Sequence, residues 1–108
     1  MINIENILKS IEEQSRSLAE KLFKQYTHSA LSDLKEFLRK SRADLERWAR
    51  ELARRDIDRN EFKSLAQGQI DVAEMRALKQ AGLAQVQIDI FTSGVLDIIV
   101  SAVFAAIP

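Results

Sequence analysis

The residues of this chain that could do chemistry begin with Asp56-Ile57-Asp58-Arg59-Asn60. Oxygen-bearing side chains at alternate positions match the first, third and fifth ligands of a calcium loop. That loop also needs glycine at its sixth position and a bidentate glutamate at its twelfth. Here those positions hold Glu61 and Gln67. The same residues read fully as a helix start, with Asp58 three residues before Glu61 as in an acidic capping box, so no metal is expected. His28 is the only histidine, so no pair of histidines from one chain can bind a metal or share a proton. It is expected to be solvated. Arg39, Arg42, Arg47, Arg50, Arg54, Arg55 and Arg59 could contact phosphates, but Glu36, Asp44, Glu46, Glu51 and Asp56 interleave with them at ion-pairing distances. A solvated helix laced with salt bridges is the expectation there, and nucleic acid is not an expected partner. Asp89 and Asp97 stand out more. They are the only charges after Lys79 and flank or interrupt the apolar run Ile90 to Ile107. A carboxylate in such a setting must be wet or paired. It could face solvent, meet a cation from the N-terminal helices, or line the axis of an oligomer.

No glycine-rich phosphate loop, serine nucleophile motif or Glu-x-x-His motif is present. No cofactor is expected, and the chain is not expected to be an enzyme. The absence of cysteine excludes disulfides and thiolate zinc sites. Sixteen basic residues balance sixteen acidic ones, so no overall field draws the chain to nucleic acid or to an acidic surface. The N-terminal MINIENILKS lacks the pattern of a signal peptide, and a cytoplasmic location is the expectation.

The elements that must position these residues are all helical. With 46% hydrophobic residues, three glycines and one proline, the composition opposes both disorder and a turn-rich β fold. Residues 1–108 are read as a single helical domain. Residues 1–55 form a long amphipathic arm with two apolar stripes: Ile4, Ile7, Leu8, Ile11, Leu18, Leu22 and Tyr26, then Leu31, Leu34, Phe37, Leu38, Leu45, Trp48, Ala49 and Leu52. Trp48 is expected in the core. The register jumps around Thr27-His28-Ser29. Either a turn joins two helices there, or one long helix rotates its buried face. The lack of Gly or Pro between Met1 and Gln67 favours the continuous helix. A turn at Asp56 to Asp58 should lead to a third segment over 59–81, with Phe62, Leu65, Ala66, Ile70, Ala73 and Leu78 on its apolar face and Gly82 as its break. A last helix over 83–107 should stop at Pro108. The fold class is thus all-α: a helical hairpin or bundle with a long amphipathic N-terminal arm and a strongly apolar C-terminal helix.

That last helix carries Gln85, Asp89, Ser93, Asp97, Ser101 and Ala105 at a strict spacing of four. Residues four apart are neighbours on a helix, so these form one polar or small ridge. Ile90, Phe91, Gly94, Leu96, Ile99, Val100, Val103 and Phe104 make up the rest of the candidate surface. A chain this short has few elements with which to cover so apolar a helix. The expected function is therefore a non-enzymatic, homo-oligomeric helical protein acting as an assembly or interaction module. Its first expected partner is itself, with another helical protein as a further one. The alternative is a membrane-associated protein anchored or inserted through residues 90–107. Asp97 at the centre and the lack of basic flanks weigh against that alternative.

Overall fold

Asn3 opens the first helix by accepting a hydrogen bond from the Asn6 amide at 3.3 Å, and α1 runs Ile4–Phe23. The computed structural model describes residues 2–107; the expected stop at Pro108 lies outside the described residues. The buried side chains of α1 are Ile4, Ile7, Ile11, Ser15, Ala19 and Phe23. After Ile11 the stripe thus advances by fours through small residues. Leu18 and Leu22, expected in the core, sit half-buried and exposed beside it.

The expected continuous arm is corrected here. Lys24 takes φ 46° with ψ −97°, a positive-φ conformation outside the left-handed helical well that costs a non-glycine residue of order 1–3 kcal/mol. One 3₁₀ turn, Lys24–Tyr26, follows, and α2 then runs Thr27–Ala53. The Thr27 hydroxyl donates to the Lys24 carbonyl at 2.6 Å and fastens the turn. The two halves fold against each other, and Glu5 at the start of α1 forms an ion pair with Arg42 deep in α2. The arm is an antiparallel hairpin. At about 1.5 Å per residue the 27 residues of α2 span roughly 40 Å, which sets the long axis of the 42 × 22 × 19 Å body. Its buried face, including Leu31, Leu34, Phe37, Leu38, Leu45 and Trp48, follows the stripe read from the sequence.

α2 ends in a Schellman motif: the Asp56 amide donates to the Glu51 carbonyl at 2.8 Å and the Arg55 amide to that of Leu52 at 3.0 Å. Arg55, with φ 65°, occupies the position that glycine usually fills. Asp58 then closes the expected capping box: it accepts from the Glu61 amide at 2.8 Å while Glu61 accepts from the Asp58 amide at 3.0 Å. The helix that follows, α3, is Arg59–Asp71. It ends ten residues before the expected boundary. The chain bends through Val72 to Met75 and enters a single short turn of helix, α4, Arg76–Gln80. Burial of Met75 and Leu78 draws this segment onto the bundle.

Gly82, with φ 94°, terminates α4 in a second Schellman motif. The last helix, α5, is Gln85–Ala106, opened by the Gln87 side chain accepting from the Ala84 amide at 2.9 Å. Packing is cyclic: α1 touches α2 and α5, and α3 touches α5 and α2. Pairs such as Ser41 with Gln69 and Phe23 with Phe91, together with Arg59 over Phe104, show that α3 opposes α2 and that α5 opposes both α1 and α3. Among the described residues the fold is a helical bundle with no strand, its four long helices alternating up and down around one core.

Candidate interaction surface on the last helix

Two neighbours set what α5 can offer. α1 lies along one flank, with Phe23 edge-on to Phe91 at a ring separation of 5.4 Å. Against the other flank lies α3, where Phe62 meets Phe104 at 6.1 Å. Between them they bury Ile88, Phe91, Val95, Leu96, Ile99, Ala102 and Val103. This packing covers one face of α5, so the expectation that so short a chain leaves the helix uncovered applies to its other face only. Of the candidate self-association residues, Phe91, Leu96, Ile99 and Val103 belong to the core and are closed to a partner. Gly94 is half-buried under α1. A Cβ built on it would come within 2.5 Å of a Leu18 methyl, so its lack of a side chain sets the approach of α1 to α5.

The other face of α5 is open. Ile90 is 54% exposed and Val86 65% exposed, one turn apart. Val100 and Phe104 are half-buried at the far end of the same face. The ridge of Gln85, Asp89, Ser93, Asp97, Ser101 and Ala105 is exposed along its whole length. Asp89 accepts from the Gln85 side chain at 2.8 Å. Among the described residues neither Asp89 nor Asp97 forms a salt bridge. Both aspartates are exposed, and among the described residues pairing with the N-terminal helices is not seen. Sequence reading missed Val86, which lies one turn before Ile90 on a helix whose average apolarity masks its two distinct faces.

The remaining candidates have local roles. Arg39, Arg47 and Arg50 pair with carboxylates on their own helix, and Arg54 pairs with Asp56 in the turn that follows. The Arg59 guanidinium lies 4.4 Å from the centre of the Phe104 ring, where a cation is attracted to the ring face. Glu5, Glu36 and Glu74 are held below the ordinary carboxyl range, first by hydrogen bonds from Arg42, Arg39 and Arg76 respectively. His28 is exposed and Trp48 is in the core. A groove of about 520 Å³ opens between Leu52, Arg55, Ile57, Arg59, Phe104 and Ile107.

A polar residue that sequence reading passed over is Asp33, only 6% exposed on α2. Both its carboxylate oxygens accept at 2.9 Å, one from the Ala77 amide and one from Leu78. It caps α4 from across the bundle. No local signal reveals a cap supplied from 44 residues away. Compared with known proteins, the chain matches no family model, no curated protein and no solved structure.

Proposed function

We propose that this chain is a non-enzymatic helical module that works by self-association, with the outward face of α5 as its contact surface. One observation carries the reading. α5 already uses one face to complete the core, yet Val86 and Ile90 stay exposed on the other. Large aliphatic side chains on an exposed helix face are common singly, but aligned along one face they favour a covering partner. No basic residue follows Lys79, so α5 itself carries no cation that would draw it to nucleic acid or to anionic lipid.

A membrane reading has one observation in its favour: Gln85–Ala106 is long and apolar enough to cross a bilayer by length and composition. In the bundle the same helix fills the core, so insertion would require stripping it from α1 and α3. Light scattering on a size-exclusion column separates the two readings when combined with liposome flotation. Self-association gives a mass that rises with concentration, no detergent dependence and no flotation. A constant monomer mass together with flotation would replace the proposal with the membrane reading.

A further inference from the structure

On the outward face of α5 the residues Val86, Ile90, Ser93, Asp97, Val100 and Phe104 succeed one another at spacings of four, three, four, three and four. That is the seam of a two-helix coiled coil. Val86, Ile90, Ser93 and Asp97 are exposed on it, while Val100 and Phe104 are half-buried and packed in part against the core, Phe104 beside Phe62 and under Arg59, so that only their outer edges reach the seam. Reading outward from position 95, the seam is palindromic in character. Val86 mirrors Phe104, Ile90 mirrors Val100, and Ser93 mirrors Asp97. Large apolar residues stand at both ends, with a hydroxyl and a carboxylate at the middle.

We infer that the occupant of this face is a second copy of the chain, paired antiparallel through α5 about a two-fold axis at position 95. The inference rests on the self-association proposed above and gives it a geometry. A two-fold interface is self-complementary, each residue meeting the mirror residue of its partner. In antiparallel order Val86 packs on the partner copy's Phe104 and Ile90 on its Val100. At the centre the Ser93 hydroxyl donates to the carboxylate of the partner copy's Asp97, and symmetry makes this contact twice. Charge selects the direction. With a rise of about 1.5 Å per residue, the two copies of Asp97 are offset by roughly 6 Å along the axis and those of Asp89 by roughly 18 Å. A parallel, in-register pair would instead set Asp97 against Asp97 and Asp89 against Asp89, with helix axes only about 8–10 Å apart. No cation on α5 could neutralise them.

The size of the seam sets the strength. From Val86 to Phe104 it is roughly 27 Å long and about 10 Å wide. That is a footprint of ~300 Å² per subunit in projection, below the ~800 Å² per partner of a standard stable interface. The dimer is therefore expected to be weak and to depend on concentration.

The chain has no cysteine, so introduced cysteines report the geometry directly. Three samples are oxidised at several hundred micromolar: Ile90→Cys alone, Val100→Cys alone, and an equimolar mixture of the two with one copy mass-tagged. Sedimentation of the reduced samples reports association independently. Antiparallel pairing predicts the mixed disulfide in at least tenfold excess over either homodimer, because two copies of position 90 lie roughly 15 Å apart along the axis. Homodimers from Ile90→Cys alone would show parallel pairing and overturn the inference. Dimers in sedimentation without any disulfide would place the interface elsewhere, overturning the geometry but not the self-association. A monomer at every concentration would remove both.

Discussion

Replacing Asp33 tests how the bundle holds its shortest helix. α4 has five residues and no side-chain cap of its own, so it depends on Asp33 for its first free amides. In Asp33→Ala the Leu78 amide loses its partner on a residue that is fully buried. Hydrogen bonds to a charged group contribute about 1.5–3 kcal/mol each. The Ala77 amide lies on a half-exposed residue that water can reach, so its loss should cost only about 0.5–1 kcal/mol. The total is roughly 2–4 kcal/mol, or about 10–25 °C in melting temperature for a domain of this size. Asp33→Asn keeps one acceptor oxygen and should fall between the two. Urea denaturation supplies the free energy, and amide exchange at Ala77 and Leu78 shows whether the loss is local to α4. A change below about 0.5 kcal/mol in Asp33→Ala would refute the assigned role, as would unchanged exchange at those two amides.

Other expected outcomes follow from single groups. Ser15 is fully buried in α1 and its hydroxyl has no partner among the described residues, so Ser15→Ala should raise stability by roughly 1 kcal/mol, seen as a higher melting temperature; a drop would mean that the hydroxyl is satisfied. Arg55 holds φ 65° at the end of α2, so Arg55→Gly should relieve strain and stabilise by up to about 1 kcal/mol in urea denaturation. The hydrogen bond from Arg42 holds the Glu5 carboxyl below its ordinary 4.5, opposed by desolvation and helped by charge attraction. A carboxyl depressed by folding stabilises the fold above its unfolded pKa, and that contribution is lost as pH falls through the folded value. Glu5→Gln should therefore lower the melting temperature slightly near neutral pH and match wild type in strong acid; equal melting temperatures at neutral pH would show that the pair contributes nothing.

The parts legible in the sequence were those written in large side chains and local caps. The stripe from Leu31 to Leu52 marks the inner face of α2 because bulky residues recur every three or four positions. The Asp58 and Glu61 box is a local pattern, and Gly82 advertises its positive φ. The parts that stayed hidden lack such marks. Ser15 and Ala19 line the core because small residues admit close neighbours, while the more conspicuous Leu18 and Leu22 are displaced to the flank. Lys24 and Arg55 adopt positive-φ conformations without glycine, so the register jump around Thr27-His28-Ser29 was the mark of the hairpin between α1 and α2, and no turn residue accompanied it. The bend before α4 is fixed by Asp33, a long-range contact invisible to any short window. On α5 the residues at a spacing of four lie exposed, and uniform apolarity concealed that Phe91, Leu96, Ile99 and Val103 already have partners within the chain.

Sedimentation equilibrium of the wild type and Ile90→Lys, from one to several hundred micromolar, tests the central claim most directly. Ile90 is 54% exposed, so lysine there should leave the fold and its melting temperature intact. Self-association through α5 predicts a wild-type mass that climbs from monomer toward dimer and a variant at least tenfold weaker in association. A wild type that stays monomeric throughout, or a variant that dimerises as well as wild type, would contradict it.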